Sequence, residues 1–182
     1  MRRIYKVLFF LNYNDFYYRT DTCAKKNINI LYTGRIDKAK GLFELIEAFQ
    51  KIIIKKPNSL LHFVGWEDDI EKPTEKKLIK LTRDLNIRKS VFFHGKKQIG
   101  DELNSMYKMA DIYVIPSYHE GFPRTVWEAM ANSLPVIATK VGSIPDFLKN
   151  RVDSLLIEPK NINQIEDSVI ELINNSLLRK KI

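Results

Sequence analysis

Two glutamates in the middle of the chain flank a predicted helix start, an arrangement suited to a polar ligand. Glu120 and Glu128 are separated by seven residues, and between them Pro123 begins a predicted helix, a position where the missing N–H of proline costs nothing. The N–H groups that follow, with the positive end of the helix dipole, suit a phosphate. Carboxylates beside such a site are unfavourable unless they accept hydrogen bonds from hydroxyl groups. The pattern therefore indicates a ligand with both phosphates and hydroxyls, a description that fits a nucleotide sugar.

Two cations earlier in the chain are suited to the same phosphate. Arg35 and Lys40 lie between Gly34 and Gly41, in a loop that follows a predicted strand. An arginine binds phosphate through two parallel N–H groups, and a lysine adds a compact second charge. A solvated basic loop is the alternative interpretation of such a pair.

Short apolar segments alternate with amphipathic ones, which predicts strands alternating with helices. The predicted strands are residues 28–32, 60–64, 91–94, 112–115, 135–139 and 155–157. The predicted helices are residues 42–53, residues 74–85, residues 102–110 with Asp101 as N-cap, one from Pro123 and one capped by Asn161. This alternation is typical of an α/β fold, a doubly wound parallel sheet with helices on both faces. The carboxyl edge of that sheet, where such folds bind ligands, would carry Arg35, Lys40 and Glu120.

Two longer motifs resemble those of one enzyme family. The sequence EGFPRTVWEAMANSLPVIAT resembles the donor-binding signature of the retaining glycosyltransferases of family 4, which have the GT-B fold. The sequence GRIDKAKGLFELIEAF is similar to the first strand-to-helix loop of that family. The resemblance runs from Asn29 to the C-terminus in the same order and spacing, and it favours a functional loop over a solvated one at Arg35 and Lys40. It implies a Rossmann-like domain that forms one half of a GT-B fold.

The resemblance also implies roles for particular residues. Arg35, Lys40 and Glu120 would be catalytic, with the two cations on the departing diphosphate and Glu120 near the sugar hydroxyls. Glu128 would lie near the ribose, and the reaction would need neither a metal nor another cofactor. The other donor-binding residues that it implies are Gly34, Gly95, Lys96, Gly121, Phe122, Pro123, Arg124 and Thr125. Of these, Gly95 and Lys96 correspond to the loop near the nucleobase.

Three positions depart from the family pattern. Ser133 and Ser143 stand where the family has glycine, and Asp146 stands where it has glutamate. A serine adopts a turn with positive φ only at a cost, because its Cβ crowds the backbone. We therefore expect weakened turn geometry or donor affinity at the two serines.

The expected function is the donor-binding half of an enzyme that transfers a hexose from its UDP or GDP conjugate to a glycan or lipid-linked acceptor, as in polysaccharide biosynthesis. Residues 1–27 are expected to be a linker or the remnant of a domain junction, and residues 28–182 the nucleotide-sugar domain. The acceptor half would come from another chain or a longer precursor, so that this chain alone would be inactive. One alternative is a truncated module that binds without turnover. Another is a doubly wound domain for a different phosphate ligand, against which the glutamate pair argues.

Composition narrows the partners and the location. The net charge is +8, but basic residues are interleaved with acidic ones and form no dense arm, which argues against nucleic acid. Attraction to an anionic membrane surface stays open, and no apolar run approaches the length of a membrane span. The one cysteine, Cys23, rules out an internal disulfide and fits a reducing cytoplasm. We therefore expect a cytoplasmic location or the inner face of the plasma membrane.

A metal site is not expected. The three histidines and the single cysteine are scattered and lack zinc-ligand spacing. The acidic residues 66–71 do not force several oxygens to converge on one point, so a solvated loop is the favoured interpretation. His94 is expected to be a satisfied histidine at a strand end rather than a functional group.

Overall fold

A six-stranded parallel sheet forms the centre of the part of the chain that the computed structural model describes, residues 27–121 and 123–182. The predicted linker before residue 27, Cys23 and the predicted donor-binding residue Phe122 lie outside the described residues. The strands are β1 (Ile28–Arg35), β2 (Ser59–Trp66), β3 (Val91–Phe93), β4 (Ile112–Ile115), β5 (Val136–Thr139) and β6 (Leu155–Ile157). Their order in the sheet is β3-β2-β1-β4-β5-β6, with every neighbouring pair parallel.

Helices cover both faces of this sheet. They are α1 (Leu42–Lys55), α2 (Pro73–Asp84), α3 (Asp101–Met109), α4 (Arg124–Ala131), α5 (Ile144–Phe147), α6 (Ile162–Asn174) and α7 (Ser176–Lys181). One apolar core lies between the sheet and α1, α2 and α6, and a second lies between the opposite face and α3, α4 and α5. Because the central strands are buried on both sides, β4 and β5 read as unbroken apolar runs. The predicted doubly wound α/β fold is confirmed.

Two glycines extend β1 and β2 beyond their predicted ends. Gly34 and Gly65 are paired neighbours in the sheet, and a Cβ on Gly65 would lie only 1.7 Å from the carbonyl oxygen of Gly34. Both glycines lie beyond the predicted strands, which end at residues 32 and 64. They instead allow the two backbones to approach closely, so the pairing continues to Arg35 and Trp66.

Three helix starts differ from the prediction by one residue. The helix α2 begins at Pro73 and not at residue 74. Pro123 is the N-cap of α4, with φ −75° and ψ 98°, and the first helical residue is Arg124. Proline restricts φ to a helical value but leaves ψ free, which explains why the ring lies just outside the helix. Asp101 is the first residue of α3 and not its N-cap, which is Gly100 at φ 112°. Asn161 does cap α6, since its side chain accepts a hydrogen bond from the N–H of Gln164.

The strand order reverses between β1 and β4. β1 connects to β2 on one side of the sheet, whereas the chain after β3 returns to place β4 on the other side of β1. The loops that leave β1 and β4 therefore diverge from a shared crevice at the carboxyl edge, the usual ligand position in open α/β sheets. Among the described residues, no helix has the length and apolar character needed to cross a membrane.

Candidate functional site

The loops after β1 and β4 are held against each other at the reversal point. The N–H of Tyr118 donates to the carbonyl of Ala39 at 2.8 Å. Gly41 has φ +65°, and a Cβ there would lie 2.1 Å from the carbonyl oxygen of Pro116. A larger residue at position 41 would therefore force the two loops apart.

Lys40 and Glu120 form an ion pair in this crevice. The Nζ atom of Lys40 donates to Oε1 of Glu120 at 2.7 Å, and the two side chains are only 16% and 11% exposed. One end of the pair comes from the loop after β1 and the other from the loop after β4. Two of the three predicted catalytic residues thus meet across the reversal point, although 80 positions separate them in the sequence.

Arg35, the third predicted catalytic residue, lies at the exposed mouth of the site. Its guanidinium is 56% exposed and pairs with Asp68 at 3.3 Å and with Asp37 at 3.7 Å. Exposed ion pairs of this kind contribute about 0.2–1 kcal/mol, so a ligand phosphate can replace these carboxylates at little cost. A carboxylate partner for either cation was not predicted from the sequence.

The start of α4 offers backbone donors beside this pair. Pro123 has no side-chain acceptor and provides no cap, and the first hydrogen bond to it is from the N–H of Val126 to its carbonyl at 3.1 Å. The N–H groups of Arg124 and Thr125 precede that bond at the positive end of the helix. The Arg124 side chain extends along α4 to Glu128, with 3.1 Å between Nη2 and Oε1.

Glu128 belongs to a buried hydrogen-bond network. Its carboxylate is 7% exposed, and Oε2 accepts a hydrogen bond of 2.9 Å from the hydroxyl of Tyr107. That hydroxyl also lies 2.8 Å from Oγ1 of Thr33, which lies 3.2 Å from the hydroxyl of Tyr113. Burial raises the pKa of both tyrosines well above the ordinary value, so both hydroxyls stay protonated near neutral pH. The two predicted carboxylates therefore occupy different environments, one paired with a lysine and the other held by a tyrosine.

A third loop, after β5, supports the backbone at Glu120. Gly142 has φ +56°, and a Cβ on it would lie 1.6 Å from the carbonyl oxygen of Glu120. Ser143 donates from its N–H and its hydroxyl to the carbonyl of Gly121. Its φ is −82°, so the strain expected at this serine is absent, because Gly142 takes the left-handed turn. Ser133 does have positive φ, at 56°, as expected.

The predicted base-contact residues lie at the end of β3, beside an aromatic ring. The Nζ atom of Lys96 is 4.7 Å from the ring centroid of Trp66, a cation–π contact. The indole N–H of Trp66 donates to Asp68 at 2.8 Å, and Asp68 in turn pairs with Arg35. Gly95 has φ +68° and open space around its Cβ position. This chain of contacts links Lys96 to the mouth of the crevice.

Acidic residues of the loop after β2 cap a helix and form an ion pair. Glu67 accepts hydrogen bonds from the N–H groups of Thr74 and Glu75 and so caps α2, while Asp68 pairs with Arg35. Within residues 27–121 and 123–182, no group of three or more histidine, cysteine or acidic side chains is arranged to hold a metal ion. His94 is satisfied as expected, with its Nε2 3.0 Å from Nδ1 of His62.

Sequence reasoning missed three contributors to the site. They are Trp66, which falls in the predicted solvated loop of residues 66–71, Tyr107, which falls in the predicted helix of residues 102–110, and Gly142, which precedes Ser143. A tyrosine at a buried position such as 107 is a detectable signal, because its hydroxyl needs a partner, but the sequence does not identify that partner. Trp66 is exposed and gives no such signal.

The fold and the site together define a doubly wound α/β domain whose ligand crevice holds a lysine, two carboxylates and an uncapped helix start. A sequence model of the family described as glycosyl transferases group 1 matches residues 19–182. The chain belongs to this family, and the resemblance seen in its motifs is confirmed.

Relatives in sequence cover most of this chain. An uncharacterized glycosyltransferase of Methanocaldococcus jannaschii is 34% identical over 146 residues, which is 80% of this chain and 36% of the relative. The capsular polysaccharide biosynthesis glycosyltransferase CapM of Staphylococcus aureus is 32% identical over 156 residues, 86% of this chain and 39% of CapM. The chain thus spans less than two fifths of either relative.

Solved structures share the fold. The C-terminal domain of the group 1 family protein LpcC from Francisella tularensis superposes with a TM-score of 0.83 at 30% identity, covering 94% of this chain and 92% of that domain. HepE from Anabaena, solved in complex with UDP, has a TM-score of 0.79 at 20% identity and is covered over 45% of its length. The described residues therefore have the fold of the C-terminal domain of a group 1 glycosyltransferase.

Proposed function

We propose that this chain is the donor-binding half of a retaining glycosyltransferase and that its crevice at the reversal point binds a nucleoside diphosphate sugar. The observation that carries the proposal is the shielded Lys40–Glu120 pair, which places a cation and a hydroxyl acceptor side by side in that crevice. A phosphate site alone gives no reason for a carboxylate at this position. A nucleoside diphosphate sugar needs both groups, the cation for its phosphates and the carboxylate for its sugar hydroxyls.

The diphosphate would be bound by Lys40, Arg35 and the start of α4. A lysine ammonium has three N–H donors, so Lys40 can keep its bond to Glu120 and still donate to a phosphate oxygen. The backbone N–H groups of Arg124 and Thr125 add donors that need no rearrangement. Arg35 is exposed and can leave its two surface carboxylates for the incoming phosphate.

The hydroxyl groups would be bound by the two carboxylates. Glu120 lies next to the ammonium that would hold the phosphate, which suits the hydroxyls of the transferred sugar. Glu128 lies further along α4 and suits the ribose. Lys96 and Trp66, at the ends of β3 and β2, would contact the base.

The transfer step places negative charge on the diphosphate while the anomeric carbon becomes electron-poor. The bond from that carbon to the diphosphate oxygen breaks, a bond to the acceptor hydroxyl oxygen forms on the same face, and the hydroxyl proton leaves with the nucleoside diphosphate. Lys40, Arg35 and the N–H groups of α4 would stabilise the departing charge without a metal. One preorganised contact of this kind is worth about 3 kcal/mol of transition-state stabilisation.

UDP is the first donor nucleotide to test, because HepE shares this fold and was solved with UDP and with UDP-glucose. The name of CapM makes a polysaccharide a reasonable acceptor class, with lipid-linked acceptors beside it. An acceptor-binding domain would complete the enzyme. The net charge of +8 would attract the chain to an anionic membrane surface on the cytoplasmic side.

Isothermal titration calorimetry with UDP, GDP and UDP-glucose tests the site. We predict that Lys40→Met lowers affinity for the best nucleoside diphosphate by about tenfold to a hundredfold, since a charge-assisted hydrogen bond is worth about 1.5–3 kcal/mol. Glu120→Gln should weaken UDP-glucose while leaving UDP nearly unchanged. Because Lys40→Met leaves a shielded carboxylate without its partner, circular dichroism must show a folded variant, and the double variant with Glu120→Gln serves where it does not.

Lys55→Met is the matched control for the lysine change. Lys55 pairs with Glu166 at the same 2.7 Å, but it is the last residue of α1 and lies at the end of that helix away from Gly41. Its loss should leave nucleotide affinity unaltered. Equal affinities of the parent chain and Lys40→Met for every nucleotide would refute the site.

A further inference from the structure

The structure holds Glu128 through a residue on a different helix. We propose that Tyr107 is a positioning residue for nucleotide binding, and that its hydroxyl fixes the Glu128 carboxylate in the orientation that receives the ribose. This inference rests on the proposed function, because it concerns the carboxylate assigned to the ribose. It adds a residue of α3 that makes no contact with the ligand itself.

The direction of the hydrogen bonds in the network follows from the number of protons. The carboxylate of Glu128 can only accept, so the Tyr107 hydroxyl must donate its proton to Oε2 across 2.9 Å. Tyr107 then has only lone pairs left for Thr33, whose hydroxyl must donate across 2.8 Å. Thr33 in turn accepts from the hydroxyl of Tyr113, at Oγ1 or at its carbonyl. Every donor in the series points toward Glu128.

This arrangement leaves one carboxylate oxygen for a ligand. Oε2 of Glu128 is occupied by the fully buried Tyr107, whereas Oε1 is met by Arg124, whose side chain is 61% exposed. An exposed arginine at i,i+4 is easily displaced, but a hydroxyl in the core is not. Oε1 is therefore the oxygen that can accept from a ribose hydroxyl.

The network also connects the two parts of the proposed site. Thr33 precedes Arg35 by two residues on β1, so the strand that leads to a phosphate-binding cation also anchors the series of hydroxyls. Without Tyr107, the Glu128 side chain would regain rotamer freedom, and ordering a long side chain on binding costs about 0.5–1.5 kcal/mol. Its carboxylate would also lose a buried donor.

A purely structural role for Tyr107 makes a different prediction. If the hydroxyl only satisfied a buried carboxylate, removing it would lower the stability of the fold and would weaken all nucleotide ligands alike or none of them. A positioning role makes the loss depend on the ribose hydroxyls. That dependence can be measured with ligands that lack them.

The experiment is a calorimetric cycle with Tyr107→Phe, using UDP and GDP, each beside its 2′,3′-dideoxy analogue, and inorganic pyrophosphate. In the unmodified chain we expect the ribose forms to bind more tightly than the dideoxy forms. Tyr107→Phe should reduce that preference about fivefold to tenfold and leave pyrophosphate affinity unchanged. A preference that stays intact, or an equal loss for ribose and dideoxy ligands, would overturn the inference.

Matched variants keep the test decisive. Thr82→Val removes a fully buried hydroxyl of α2 that donates to the carbonyl of Ile79 and lies outside this network, and it should leave the ribose preference intact. Thr33→Val, a second way to disrupt the network if Tyr107→Phe folds poorly, should show the same ribose-specific loss at smaller size.

With Glu128→Gln already present, Tyr107→Phe should have no further effect on the preference, and additive losses would contradict the idea. If the unmodified chain binds no nucleoside diphosphate at all, the proposed function itself has failed.

Discussion

At the scale of single residues, two serines that replace family glycines behave differently. Ser133 has φ +56°, a left-handed value that costs a residue with a Cβ about 1–2 kcal/mol. Ser143 has φ −82° and uses its hydroxyl to hold the backbone at Gly121. The same substitution relative to the family is therefore strained at one position and useful at the other.

We predict that Ser133→Gly raises the free energy of unfolding by about 0.5–1 kcal/mol, because relief of the Cβ strain exceeds the added freedom of glycine in the unfolded chain. Ser143→Gly is the control, and it should lower stability, since it loses a hydrogen bond and gains unfolded-state entropy. Urea denaturation of the three proteins measures both changes. A decrease on Ser133→Gly would show that its turn is not strained.

The residue types at the site were predictable, but their pairing was not. Charged side chains that follow a predicted strand suggest a polar ligand, and this signal identifies Glu120, Lys40 and Arg35. Which carboxylate meets which cation depends on loop geometry, and that geometry is set by contacts such as the carbonyl of Pro116 against Gly41. Contacts of this kind join residues far apart in the sequence, so local patterns carry no record of them.

At the scale of elements, all six predicted strands are present, because buried parallel strands leave an unmistakable apolar signature. The errors lie at their ends. β1 and β2 continue through glycines whose role is close approach of two backbones, which is a property of the pair and not of either segment. The short helices α5 and α7 were not predicted, although Asn175 caps α7 by accepting from the N–H of Leu178 at 2.9 Å.

A histidine pair ties the edge strand β3 to β2 and makes stability depend on pH. His62 is almost fully buried and lies between His94 and Asn29, and burial together with the neighbouring His94 lowers its pKa to about 4. Burial, with Lys97 nearby, also lowers the pKa of His94. Just below the ordinary histidine pKa of 6.5, both rings are therefore still neutral in the folded chain, whereas the histidines of the unfolded chain already bind protons.

We predict that the free energy of unfolding is constant above about pH 6.5 and falls as the pH drops from there to about 4, since the unfolded chain takes up protons first. His62 contributes the larger part of this fall, because its pKa is lowered to about 4. His62→Gln should flatten the slope in this range, whereas His119→Gln, at an exposed position, should not. Denaturation curves from pH 4 to pH 8 measure it, and an unchanged slope in His62→Gln would count against a neutral buried pair.

At the scale of the whole molecule, the order of the strands brings the residues of the proposed site together. The strand order places the loops after β1, β4 and β5 together at one edge of the sheet, with two apolar cores behind them. That convergence was predictable from the alternation of strands and helices. The network that holds Glu128 was not, because Thr33, Tyr107 and Tyr113 come from three elements that meet only in the folded core.

The central claim is that one crevice binds a diphosphate and its sugars at the same time, and a crystal structure of this chain with UDP tests it most directly. We predict that the diphosphate lies within hydrogen-bond distance, about 3 Å, of Lys40 and of the first N–H groups of α4, with the ribose on Oε1 of Glu128. A nucleotide bound elsewhere, with neither Lys40 nor Arg35 in contact with it, would contradict the account.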